Sequence, residues 1–265
     1  MSVRTRNLGL LVLAALAARL PFLLLSRGAP FDLESYARVA ACPGPGLYSS
    51  ALLAGRYPYL PLWWLLLKLL VWVRWAFGGL GAWSLWFRLP ALAGDVAICC
   101  FAYLLAEGKR NRRGAPADGV LPGQAVGLTA GLAWALNPLA WLVGAGHGQF
   151  DSLALALLLA AAWSLDCSTH PRGESRAAFF LGLAIALKTW PLALLPCFLC
   201  VFTSRRDRLV FAGKALALPL LLPLPWFFCD GPAAVLSRLC YGGANALGLS
   251  GAMKVCFFVT GVSPS

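Results

Sequence analysis

Apolar runs close to the roughly 20 residues that a helix needs to cross the bilayer hydrocarbon recur along this whole chain. Residues 8–26, 85–106 and 123–146 are the clearest, and further runs follow at 152–165, 177–202 and 209–228. No polar stretch between them is long enough for a separate soluble domain. Charged residues make up 12% of the 265, about half the share of a soluble domain, and the mean hydropathy is +0.75. Nothing alternates as a strand would. The expectation is all-α, a single polytopic transmembrane bundle over residues 1–265 with about seven spans and outer interfacial helices.

Arg4 and Arg6 precede the first run as in a signal peptide. Arg19 and Pro21 lie inside that run, however, and no small-residue cleavage site follows, so it reads as a retained helix. The net charge of +12 comes from Arg and Lys near the ends of apolar runs. There they set orientation and meet anionic headgroups. No basic face belongs to a soluble module, which argues against nucleic acid. Cys99 and Cys100, and Cys197 and Cys200, fall inside apolar runs with no second pair or His cluster to complete a zinc site. They read as small buried apolar residues.

Basic residues place the N-terminus, the loop 108–122 with Lys109, Arg110, Arg112 and Arg113, the Arg172–Arg176 loop and the Arg205–Arg208 cluster in the cytoplasm. These agree only if residues 59–77 lie along the outer interface. Trp63, Trp64, Trp72 and Trp75 suit headgroup depth, and Lys68 and Arg74 interrupt the run. Residues 27–84 then form a first outer loop. Residues 177–202 go in and back as two short helices meeting near 188–191, where Lys188, Pro191 and Pro196 interrupt the run. Residues 229–265 begin a second outer loop.

Ten acidic residues make a census informative. Glu107, Asp118, Asp166, Glu174 and Asp207 fall in or beside cytoplasmic loops. Asp32, Glu34, Asp151 and Asp230 fall on the outer side, and Asp95 lies inside a span. Charge at such depth costs about 2.5–3.5 kcal/mol on insertion scales and is usually paired or functional. Asp95 reads as a structural partner of Arg88 or Arg19. Asp32 and Glu34, just past the first helix, read as solvated or helix-capping acids, or as a base for an acceptor hydroxyl. His147-Gly148-Gln149-Phe150-Asp151 is a polar turn whose Asp151 caps the next helix, or a site where His147 and Gln149 hydrogen-bond a sugar or phosphate. Lys188, at a helix break, either snorkels or neutralises a phosphate.

Five stretches, in order, resemble the GT-C glycosyltransferases that use polyprenyl-phosphate sugars. The likeness is to the glucosyltransferases of N-glycan precursor assembly and to bacterial polyprenyl-phosphate mannosyltransferases. Phe31-Asp32-Leu33-Glu34-Ser35-Tyr36 resembles their first outer-loop acidic motif. Arg56-Tyr57-Pro58-Tyr59-Leu60-Pro61-Leu62 is similar to their D-Y-P-P-L segment. Arg88-Leu89-Pro90 with Asp95 resembles the start of their second span. Gly146-His147-Gly148-Gln149-Phe150-Asp151 resembles their G-H-F-Q-Y-N and G-Q-x-D versions, and Ala186-Leu187-Lys188-Thr189-Trp190-Pro191 their L-x-x-K-x-x-P break.

The resemblance implies an inverting hexose transfer with Asp32 as general base. Glu34, Tyr57, His147, Gln149, Asp151 and Lys188 would bind substrate. It implies a polyprenyl- or dolichyl-phosphate sugar donor, a lipid-linked glycan or protein acceptor, no nucleotide sugar, no cofactor and no essential metal. The host would be a bacterial inner membrane or the endoplasmic reticulum. Pro58-Tyr59 stands where the family has a double proline, and Asp151 where the glucosyltransferases have Asn. Family members are longer, so residues 1–265 read as an N-terminal portion. Two other readings stay open. One is a transporter or flippase, which broken helices and buried charge suit. The other is a non-catalytic subunit that keeps the scaffold.

Overall fold

The computed structural model describes residues 2–53, 56–112, 123–166 and 171–239, and the regular elements among them are all helical. The basic stretch beyond 112, Asp118 within it, residues 167–170 and those from 240 onward, which hold most of the expected second outer loop, lie outside the described residues.

Helix α1 (Val3–Leu25) starts where the Ser2 hydroxyl accepts the Thr5 amide at 3.1 Å. Its buried residues, Asn7, Leu11, Ala15, Arg19 and Leu23, recur every four positions and form one inward stripe. Leu10, Leu13, Leu20, Leu24 and Leu25 face outward. So large an apolar outer surface is stable against lipid and not against water. Helix α1 and the first part of α4 (Trp83–Arg112), residues Trp83–Gly108, are each long and apolar enough to cross a membrane. The chain is a membrane protein.

The run expected at 123–146 is not one straight helix. It divides into α5 (Gly123–Ala135) and α6 (Pro138–His147), bent by 46°. Pro138 has no amide to continue α5, and the Asn137 side chain accepts the Leu139 amide at 3.0 Å, restarting the helix. Counting this pair as one span brings the total to three among the described residues. Helices α7 (Asp151–Asp166), α8 (Pro171–Leu187) and α10 (Arg205–Leu221) hold 16, 17 and 17 residues. They fall below the spanning length, and their apolar stretches are shorter still, because charged first turns take up part of α8 and α10 and an aspartate stands at each end of α7. Between α8 and α10 the chain breaks at Lys188–Thr189 and continues as the apolar α9 (Trp190–Leu199).

Close helix crossings rest on glycine. A side chain at Gly94 of α4 would run into the backbone of Ser152 and Leu153 in α7. One at Gly131 of α5 would meet Leu11 and the Cys99 carbonyl. Two cores result among these helices. Leu11, Ala15, Cys99, Tyr103 and Ala135 join α1, α4 and α5. Leu158, Leu181, Phe198, Phe211 and Ala215 join α7 to α10.

A third core is aromatic and belongs to the segment between α1 and α4. It packs α2 (Pro30–Ala41) and α3 (Pro61–Ala76) against Phe150, Leu187, Trp226 and Val235. Trp63 is fully buried and stacks on Phe150 at 3.7 Å, and Trp64 donates to the Cys42 carbonyl at 3.2 Å. Only Trp72 and Trp75, of the four tryptophans expected at headgroup depth, face out. The first turn of α3 is covered by α2 and the last is not. Asp230, between α11 (Leu224–Cys229) and α12 (Pro232–Leu239), accepts the Gly46 and Tyr48 amides at 2.6 and 2.7 Å, tying this segment to the loop after α2. Cys99 is buried as expected, but Cys197 and Cys200 are exposed, because α9 turns Leu195 and Phe198 inward instead.

Candidate functional site

Two buried arginines set the helix ends that carry the site. Arg19 donates to Asp95 Oδ2 at 2.8 Å and to the carbonyls of Ala135, Ala15 and Trp134 at 2.9, 3.2 and 3.3 Å. Three of those four acceptors lie in α4 or at the end of α5, where the regular ladder stops and the Trp134 carbonyl has turned to the Asn137 amide at 3.1 Å. Arg19, not Arg88, is therefore the partner of Asp95. Arg88 serves the next tier, donating to the Leu23 and Ala145 carbonyls at 2.8 and 3.0 Å and joining the end of α1 to α6.

The link between α1 and α2 then fixes the polar turn after α6. Ser26 Oγ donates to the Gly146 carbonyl at 2.6 Å, and the Ala29 amide donates to the His147 carbonyl at 2.8 Å. The last turns of α6 are wound as a π-helix that ends at Gly148, where φ is +97° and a side chain would also press on Arg88. This left-handed residue turns Gln149 back toward α2.

Asp32 sits in the first turn of α2, which has no side-chain cap. Its Oδ2 accepts Gln149 Nε2 at 2.6 Å and lies 3.4 Å from His147 Nδ1. Both contacts fall on one carboxylate oxygen. Two residues further on, Asp151 begins α7 and its Oδ1 lies 2.7 Å from Lys188 Nζ. The Lys188 ammonium rests over the rings of Phe150 and Tyr59, 4.7 and 5.6 Å from their centroids. It is directed into the protein rather than snorkelling away from it. Gln149 and Asp151 both line a cavity of about 240 Å³ that extends past Trp190, Leu155 and Val143 to Asp95.

Glu34 and Tyr57 lie apart from this cluster. Glu34 pairs with Arg38 at 2.5 Å and Arg56 at 3.2 Å on the surface of α2. The hydrogen bond and charge of Arg38, helped by Arg56, hold its carboxyl below the usual range. Tyr57 is buried and caps α3: its hydroxyl donates to the Leu60 carbonyl at 2.8 Å and accepts the Trp64 amide at 3.1 Å. Burial pushes its pKa well above the usual phenol value. Asp230 is likewise occupied by backbone amides. Among the described residues, no three His, Cys, Asp or Glu side chains group as metal ligands.

Tyr36 was not among the residues singled out from sequence. It lies one helical turn after Asp32 and is 3% exposed, boxed by the rings of Trp63, Phe87 and Phe150 at 5.1, 6.3 and 6.0 Å. The spacing of four from Asp32 was the available signal.

The site can hold an anion at Lys188, abstract a proton at Asp32 and hydrogen-bond a polyol between them. The chain matches no protein-family model, no curated protein and no solved structure.

Proposed function

We propose that the chain is a membrane glycosyltransferase of the GT-C type. It moves a hexose, glucose or mannose, from a polyprenyl- or dolichyl-phosphate carrier to a lipid-linked or protein-linked acceptor at the non-cytoplasmic face. The observation that carries this reading is the meeting of Asp32 with His147 and Gln149, residues more than a hundred positions away, beside the Asp151–Lys188 pair. The proposal includes a multi-pass topology of about seven crossings, with α7 to α10 shortened at their charged ends and completed by tilt or local bilayer thinning.

In the proposed reaction the acceptor hydroxyl gives its proton to Asp32. Its oxygen bonds to the anomeric carbon from the face opposite the phosphate, and the carbon–oxygen bond to phosphate breaks. The electron pair leaves with the polyprenyl phosphate. Gln149 holds the carboxylate in place through Oδ2, so its orientation is set before substrate arrives. Lys188, itself mostly buried, neutralises charge developing on the phosphate. The 240 Å³ cavity, walled largely by apolar side chains, accommodates the first units of the carrier lipid.

The test is Asp32→Asn in the protein reconstituted in liposomes and assayed with polyprenyl-phosphoglucose and polyprenyl-phosphomannose. Loss of a general base lowers transfer by about 10²–10⁴-fold, with membrane insertion and Tm retained. Transfer at the wild-type rate by a correctly inserted Asp32→Asn protein rules the mechanism out.

A further inference from the structure

Tyr36 presents a hydroxyl that the fold itself does not use. Its Oη has no exposed surface and no hydrogen-bond partner among the described residues, although a buried hydroxyl is ordinarily bonded. Its position is set by α2, on which it stands four residues from Asp32, and by the aromatic box of Trp63, Phe87 and Phe150. Burial first, then the nearby Tyr59 phenol and the carboxylates of Asp32 and Asp151, push its pKa well above the usual phenol value. The group therefore stays a neutral donor at any physiological pH, close to both carboxylates of the site.

Two carboxylates nearby make the position unfavourable for an anion. They suit a group that accepts one hydrogen bond and donates another. A carbohydrate hydroxyl does both, taking the phenolic proton as acceptor while giving its own proton to a carboxylate. We infer that Tyr36 is a substrate-binding residue whose Oη donates to one hydroxyl of the hexose held beside Asp32 and Asp151, while Lys188 takes the phosphate. The inference rests on the glycosyltransferase reading above and deepens it by dividing the ligand: sugar toward Tyr36, anion toward Lys188. Because Oη is covered, the hydroxyl reaches it only as a neighbour moves. The Lys188 ammonium, paired with Asp151, rests over Phe150 and Tyr59 on a long single-bonded side chain that a phosphate can draw away. Phe150 is the wall shared by Tyr36 and Lys188, so the movement that admits the sugar is assigned to that ring.

The experiment compares the wild-type chain with Tyr36→Phe in lipid nanodiscs. The probes are polyprenyl phosphate, polyprenyl-phosphoglucose, polyprenyl-phosphomannose and the four monodeoxy forms of the glucose lipid. The wild type is expected to bind a sugar-bearing lipid more tightly than polyprenyl phosphate, and to lose about 2- to 12-fold in affinity for one monodeoxy form. Tyr36→Phe should lose part of that factor for the parent sugar lipid and be less sensitive to that deoxygenation than the wild type, because the bond from the same hydroxyl to a carboxylate remains, with affinity for polyprenyl phosphate retained. Its Tm should be unchanged or higher, since removing a buried donor with no partner loses no bond. A wild type insensitive to every deoxygenation overturns the inference, as does a Tyr36→Phe protein that discriminates as strongly as the wild type or loses Tm alone. A wild type that binds sugar lipids no better than polyprenyl phosphate refutes the glycosyltransferase reading itself, which separates the two failures.

Discussion

Replacing Arg19 by Met should be among the most damaging single changes in the molecule. Arg19 and Asp95 are 0% and 1% exposed at their side chains, and 2.8 Å apart. Loss of the guanidinium strands a carboxylate inside the helix bundle, at a cost of about 3–5 kcal/mol. Asp95→Leu should cost less, because the carbonyls of Ala135, Ala15 and Trp134 still engage the guanidinium. In the double variant Arg19→Met/Asp95→Leu no charge is buried. The Ala135 carbonyl keeps the Trp141 indole, which donates to it at 2.6 Å. Only the two longest carbonyl bonds, to Ala15 and Trp134, are then lost without replacement. The double variant should lie about 1–2 kcal/mol below wild type, and so recover about 1–4 kcal/mol relative to Arg19→Met. Unfolding of all four proteins in mixed micelles, followed by tryptophan fluorescence, measures this cycle. If the two single costs simply add in the double variant, within about 0.5 kcal/mol, Arg19 and Asp95 act independently and the pair does not hold the bundle.

Gly94→Ala should destabilise by about 1–3 kcal/mol, as overpacking does, because the new methyl runs into the backbone of α7. The same unfolding assay checks it, and a cost under half a kcal/mol means the two helices separate freely. Glu34 gives a pH signature. Its folded pKa lies below the unfolded one, so its contribution is present above the ordinary carboxyl range and is lost as the pH falls through the lowered folded value. Glu34→Gln should therefore flatten the acid limb of the stability profile slightly while leaving neutral-pH stability nearly alone, given that the pair is solvent-exposed. An acid limb identical to wild type would show that Arg38 and Arg56 do not hold Glu34 in the folded state.

Much of the helical layout was legible because proline punctuates it. Pro30, Pro61 and Pro138 each stand at or within a residue of a helix start, and the break at Lys188–Thr189 follows from Pro191. The bend at Asn137 was also legible in principle, since Asn-Pro is a restart signal. The hydropathy of residues 123–146 runs through it unbroken and hides it. Tryptophan defeated the reading differently. A Trp at the outer interface and a Trp in an aromatic core have the same local sequence, and only the cover from α2 separates Trp63 from Trp72. Pairing of Asp95 with Arg19 rather than Arg88 could not be read from one helix at all, because the choice depends on where α5 ends. Tyr57 was singled out through its motif, and its hydroxyl is spent on the amide and carbonyl ends of its own loop. Tyr36 escaped notice because a tyrosine in an apolar helix face normally packs and bonds without further role.

The Arg19–Asp95 pair also bears on how this chain enters a bilayer during synthesis. The partners are 76 residues apart, so α1 leaves the ribosome long before α4 does. Until then the first helix carries an uncompensated guanidinium, which lowers its preference for lipid by about 2.5–3.5 kcal/mol. The leucines of the same helix offset that penalty, and α4, by delivering a carboxylate, removes it, so the first crossing gains its full hold only once the later one has joined it.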